Sequence, residues 1–353
     1  MDTLTHALSG ALLARVIAPR LPQASTPTLR RALIAGALSA AFPDSDVVIS
    51  FFSDQLTYLN LHRGVTHSLL LLPLWAMLLA YVFTLPERNR GKWRGYFVLA
   101  MGGIAIHIAG DVITSFGTQI FAPFTSWKAS LPFTFIIDPW FSGIIVAGLL
   151  ASWRWRHSSR PALIALAVLA GYVGFQAVLN TRATALGEKY AMQQGYQDAQ
   201  VVALPQPLSP FNWKIIVTDR DHYEVAYVNL HRQSAPAQPA QGSGLLARID
   251  AVYQPVQGVT WHQDARFGDS DEQQQLSRDA WSAPVMAPVR RFIEYPALAQ
   301  INHREPQGTC VWFDDLRFTL SDVRSPFRFG VCRSNRKSDW RLYRLNDNKL
   351  TPL

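Results

Sequence analysis

The chain has 353 residues, of which 49% are hydrophobic and 16% charged, with a net charge of +8 and two cysteines. So low a charge content, against ~25% in an ordinary soluble domain, excludes a disordered or collagen-like chain. Two cysteines exclude both a disulfide framework and a cysteine-rich zinc module. Charge is also uneven. Residues 1–180 hold 13 Lys/Arg and 7 Asp/Glu, and residues 181–353 hold 20 and 18. We therefore expect an all-α polytopic membrane domain of about six helices over 1–180. A soluble mixed α+β, strand-rich domain is expected over 181–353.

In chain order, two short apolar segments come first, at 5–18 and 31–53. Both carry polar residues, and Pro43 is expected to end the second helix. No basic region precedes the first segment, so residues 1–20 are expected in the mature chain. Four stronger segments follow at 67–85, 95–115, 139–153 and 161–180. A hydrocarbon core of ~30 Å needs about 20 helical residues, which leaves 139–153 short. Basic residues fall in alternate connections: Arg20, Arg30 and Arg31; Arg88, Arg90, Lys92 and Arg94; Arg154, Arg156 and Arg160. The connections between carry only Arg63 and Lys128. By the positive-inside rule the basic loops lie in the cytoplasm, with the N-terminus and the tail in the periplasm. That bias suits anionic membrane lipids and implies no nucleic acid.

Beyond 180, the segments 214–218, 223–230, 311–319, 327–332 and 340–345 read as strands from their alternating pattern. Residues 271–282 and 285–299 read as helices, and 233–243 as a low-complexity loop. Asp314 and Asp315 suit a turn or strand edge. Cys310 and Cys332 either pair, as an oxidising compartment would allow, or are unrelated buried thiols.

The membrane half carries an unusual polar set: His6, Asp44, Asp46, His62, His67, His107, Asp111 and Asp138. His107 and Asp111 lie one turn apart on one helix face. Counted at 1.5 Å per residue from the loops, four segments deliver His6, Asp44/Asp46, His67 and His107/Asp111 to one depth. Such residues are costly in a bilayer and usually face a functional interior. Two or three histidines with two or three carboxylates suit a divalent ion, zinc before manganese or iron. Such an ion would activate water for hydrolysis. Arg63 suits phosphate binding or a headgroup anchor. Asp46 and Asp138 suit second-layer support or general-base work, although Asp138 before Pro139 is also a helix-start signal. Thr5, Thr66 and Ser68, beside the ligand candidates, are either supporting donors or caps. Intramembrane His and Asp also mark proton or cation pathways. No inverted repeat favours a transporter here. A metal-stabilised sensor is a third reading.

The segments MDTLTHALSGALLA, FPDSDVV, HRGVTHS and HIAGDVITSFGT resemble the bacterial LexA-binding, inner-membrane-associated family of metal-dependent hydrolases. FNWKIIV, RRFIEYP and VWFDDLRF resemble the tail of one branch of it. That family is in turn similar to the zinc-dependent phospholipase C and P1 nuclease superfamily. The resemblance implies metal ligation by His6, Asp44, His67, His107 and Asp111, and a phosphoester substrate; a pocket opening at headgroup depth suits a lipid-linked one. The superfamily's further His and closing His-x-x-x-Glu have no counterpart here, so a three-ion arrangement is not implied.

Overall fold

The computed structural model describes residues 1–87, 90–236, 242–320, 325–334, 339–346 and 349–353. Arg88 and the middle of the 233–243 loop (237–241) lie outside them. The helices in chain order are α1 (Thr3–Ile17), α2 (Leu29–Ala41), α3 (Gln55–Leu61), α4 (Leu72–Thr84), α5 (Trp93–Val112), α6 (Pro139–Arg154) and α7 (Arg160–Gln194). After them come α8 (Leu245–Ala251), α9 (Asp271–Ser282) and α10 (Ala287–Phe292). Two compact units result. One holds Met1–Phe51, Leu61–Asn180 and Pro205–Pro210; the other holds Phe52–Asn60, Thr181–Leu204 and Phe211–Leu353.

The first unit is helical. Asp2 caps α1 by accepting from the Thr5 amide at 3.0 Å, and α2 gives way at Pro43 to a 3-10 stretch, Pro43–Phe51, bent by 50°. Packing follows the pattern of a helix among lipids. On α4 the buried positions are Leu72, Ala76, Ala80 and Thr84, while Leu74, Met77, Leu78, Tyr81 and Val82 are exposed. Small residues inward and large apolar residues outward give close helix contact with no hydrophobic drive from water. The same inversion appears on α7, where Leu163, Ile164, Val168, Phe175 and Val178 face out.

Among the described residues, two helices are long and apolar enough to cross a membrane, Arg90–Val112 and Arg160–Gln194. The bent pairs Leu29–Ala41 with Pro43–Phe51, and Gln55–His67 with Leu72–Thr84, raise this to four if each is one span. The expected six crossings are not established by length: α1 has 15 residues, α4 13 and α6 16, short of the ~20 a full span takes. Helix α7 also runs 14 residues past the expected end at 180, through helix-forming residues such as Ala183, Ala185, Glu188 and Ala191.

Among the described residues, the second unit is built on two five-stranded sheets. Strands β1 (Gln200–Pro205), β2 (Asn212–Asp219), β3 (His222–Asn229) and β4 (Gln254–Pro255) run in order, and β5 (Trp261–Ala265) pairs with β3. Strands β6 (Pro296–Arg304), β7 (Gly308–Asp315), β8 (Phe329–Arg333), β9 (Arg341–Asn346) and β10 (Lys349–Pro352) form an antiparallel meander. Ile216, Tyr223, Val225 and Tyr227 from the first sheet share a core with Ala297 and Leu316. Buried Lys214 donates to the Leu316 carbonyl and to the Thr319 carbonyl and hydroxyl at 2.9 and 2.7 Å. Burial pushes its ammonium down to about 7 against the pull of Asp264, Asp315 and Asp314.

Most expected strands occur. The helix expected over 285–299 does not. It is a 3-10 turn and the short α10, after which the chain extends into β6. Pro296 opens that strand and biases Tyr295 toward extended backbone. Asp314 and Asp315 end β7 and are neutralised by Arg328 (2.6 Å) and Arg317 (2.7 Å). Cys310 and Cys332 face each other across β7 and β8 and form a disulfide.

Candidate metal centre

Close helix contact creates the site. A Cβ on Gly10 would lie 2.2 Å from the Gly36 carbonyl oxygen, and one on Gly103 would lie 2.7 Å from the Ser39 Cβ. Only at such positions can α1, α2 and α5 approach backbone to backbone. Gly110 leaves room for the His6 ring, which a Cβ there would meet at 3.1 Å. The contacts bring His6 from α1, Asp44 from the turn after α2, His67 from the 3-10 turn Val65–His67, and His107 and Asp111 from α5 into one place.

Asp44, His67, His107 and Asp111 each offer a ligand atom, all within 4.8 Å of one another. His67 Nε2 lies 3.0 Å from His107 Nε2 and 3.2 Å from Asp111 Oδ2. His107 Nε2 lies 3.4 Å from Asp111 Oδ2 and 3.6 Å from Asp44 Oδ1. His67, His107 and Asp111 side chains are fully buried; Asp44 keeps 15% of its side chain exposed. His6 stands beside the group. Its ring stacks on His107 at 3.7 Å, and its Nε2 meets the other Asp111 oxygen at 3.2 Å.

Hydrogen bonding fixes what each atom presents. His107 Nδ1 lies 2.6 Å from the Ala40 carbonyl. A carbonyl only accepts, so the proton sits on Nδ1 and Nε2 turns a lone pair into the group. Asp111 Oδ1 takes the Arg63 guanidinium at 2.9 Å and the Met1 amino nitrogen. Oδ2 is buried with no hydrogen-bond partner. An orphaned carboxylate oxygen facing two imidazole nitrogens 3.0 Å apart is costly by itself. A cation among these atoms would satisfy all of them, so the residues fit a metal ion.

A second layer surrounds the first. His62 Nδ1 donates to Asp46 at 2.9 Å, the Arg63 amide donates to it at 3.0 Å, and His67 Nδ1 is 3.7 Å away. Arg63 holds φ at 59°, a left-handed conformation that costs a non-glycine residue roughly 1–2 kcal/mol. Its guanidinium also donates to Thr114 Oγ1 at 2.9 Å and lies over the Phe116 ring. Arg63 is therefore buried and engaged with Asp111. Thr66 bonds His67 Nδ1 at 3.0 Å and Thr3 donates to Asp44 at 2.6 Å.

Three candidates have other partners. Asp138 caps α6 through the Trp140 and Phe141 amides and accepts from the Tyr172 hydroxyl at 2.7 Å. This is the helix-start role its place before Pro139 signals. Thr5 bonds Asp2 and Ser142, and Ser68 donates to the Ala122 carbonyl. Sequence reasoning missed the Ala40 carbonyl, Thr3 and Thr114. A backbone carbonyl carries no residue signal, and the two threonines reach the site only through helix packing.

The helical unit, its lipid-like exterior and this buried His/Asp group define an integral membrane protein with a possible metal-binding centre. The chain belongs to the YdjM inner membrane protein family, whose model matches residues 1–183. It is also 24% identical over 225 residues to the Bacillus subtilis (strain 168) protein described as "Uncharacterized protein YfhP". That match covers 62% of this chain and 65% of the relative. No solved structure matches the chain.

Proposed function

We propose that this protein is a membrane-bound hydrolase dependent on a divalent metal, acting on a phosphoester or related ester, lipid-linked, at the outer face of the inner membrane. The observation that carries the reading is the convergence of Asp44, His67, His107 and Asp111 within 4.8 Å, with Nε2 of His107 aimed into the group by Ala40. Two imidazoles, two carboxylates and no thiolate suit zinc, with manganese or iron as alternatives. A bound ion of this kind supplies Lewis acidity and lowers the pKa of water toward ~7. The chain's residues would act around it. Asp44, the partly exposed member, would be the side from which substrate reaches the ion, since catalytic centres keep an open position. Asp46 holds His62 and the Arg63 backbone and backs His67. Arg63 fixes Asp111 and balances its charge.

The proposal includes topology. Helices α1, α2, α4, α5, α6 and α7 would supply six crossings, with the N-terminus and the tail in the periplasm. Basic residues in alternate loops support this, as does a disulfide in the tail.

The test is turnover by the full chain in detergent with added zinc or manganese, against phosphodiesters, phospholipids and carboxyl esters. Hydrolysis abolished by His107→Ala is expected. Metal-loaded, folded protein that hydrolyses none of them contradicts the proposal.

A further inference from the structure

We propose that the groove between α6 and α7 binds an anionic phospholipid, its acyl chain in the groove and its phosphate at Arg154, Arg156 and Arg160. The groove has a volume of about 520 Å³ and is walled by Gly148, Ala151, Trp155, Pro161, Ile164 and Ala165 among other apolar side chains. Its floor is a close helix contact, since a Cβ on Gly148 would lie 2.3 Å from the Ala165 Cβ. Small residues on α6 leave the space, and no polar side chain lines it. An apolar chain is therefore what it accommodates.

The end of the groove selects the headgroup. Arg154, Arg156 and Arg160 flank Trp155 and Pro161 and are exposed. Among the described residues no carboxylate lies within ion-pair distance of any of them. The Arg154 guanidinium lies 6.0 Å from the Trp155 ring centre, a side chain suited to the membrane interface. The backbone carrying these cations is fixed. Buried Arg15 of α1 donates to the carbonyls of Arg156 (2.6 Å) and Ser158 (2.8 Å), and the Arg160 amide donates to Ser158 Oγ at 3.1 Å. A held cationic turn at the mouth of an apolar groove is complementary to a negatively charged lipid and gives a zwitterionic one no equal gain. The inference uses the membrane placement of α6 and α7 and is independent of the hydrolase proposal.

The test is native mass spectrometry of the full chain released from detergent, offered phosphatidylglycerol and phosphatidylethanolamine of matched acyl chains. Retention of phosphatidylglycerol is expected to exceed the other by at least about tenfold. R154Q/R156Q/R160Q, which alters exposed side chains only, should bring the two lipids to near parity. Ala151→Phe, which fills the groove, should lower both. Equal retention by the wild type, or a preference that survives the triple substitution, overturns the proposal. So does an Ala151→Phe variant that dissociates a dimer with lipid retention unchanged, because the occupant is then a second copy of the chain.

Discussion

At the residue scale, Asp111 is asymmetric. Its Oδ1 is saturated by Arg63, His6 and the Met1 amine, while Oδ2 faces the imidazoles of His67 and His107. Rigidity of these candidate ligands then depends on the layer behind them. Removing an outer partner of a ligating histidine typically costs 10–100-fold in metal affinity. Asp46→Asn is accordingly expected to weaken divalent-metal binding by about 10–100-fold, measured by competition with a chelating dye, with helix content unchanged. The site was largely legible in the sequence, because His and Asp inside apolar segments are costly enough to stand out. Roles were less legible. Arg63 suits a free phosphate binder by type, and packing commits it to Asp111. Asp138 carries both a catalytic and a capping signal, and its hydrogen bonds are those of a cap.

At the element scale, two devices hold the helices. Gly10 and Gly36 let α1 and α2 touch. Gly10→Val would force a side chain into the Gly36 carbonyl, and overpacking of this sort costs about 1–3 kcal/mol. A lowered thermal midpoint together with weaker metal binding is expected, since α1 and α2 carry His6 and lead to Asp44. Metal binding at the wild-type level would separate the contact from the site. At the opposite end of α5, buried Glu87 binds Arg31 at 2.7 Å, Lys92 at 3.1 Å and the Tyr96 hydroxyl at 2.7 Å. Burial alone would raise the Glu87 carboxyl, but the Tyr96, Arg31 and Lys92 hydrogen bonds bring it down to about 2. Its folded pKa is thus below its ordinary value near 4.5. The stabilisation is fully present above that value and is lost as pH falls through about 2. Acid titration followed by circular dichroism should show this loss between pH 4.5 and 2, and Glu87→Gln should remove that component. Helix positions were legible from apolar runs, as were β2, β3, β7, β8 and β9 from alternation. The failure at 285–299 arose because Val289, Phe292 and Ile293 fit a helical stripe as far as it goes, while the extended turn into β6 is set by Pro296 and by pairing with β7, a long-range contact.

For the whole molecule, the chain joins an inside-out helical unit to a sheet unit with a water-type core. Composition signalled this, because charge content changes near residue 180. The number of crossings is harder to read, since short helices around a polar centre need not span the full ~30 Å. The disulfide between Cys310 and Cys332 links residues 22 apart. A cross-link of that loop length contributes about 3 kcal/mol. Cys310→Ser/Cys332→Ser is expected to lower the stability of the tail by about that amount, read from denaturant unfolding of the full chain by tryptophan fluorescence. An unchanged midpoint would show that the bond adds nothing.

The central claim is that Asp44, His67, His107 and Asp111 hold a metal ion. Elemental analysis of detergent-purified full chain, wild type beside His107→Ala, tests it most directly. The account predicts at least about one equivalent of zinc, manganese or iron in the wild type and its loss in a variant of unchanged helix content. Folded wild type that takes up no metal when supplied with all three, or a variant that retains the full equivalent, would contradict it.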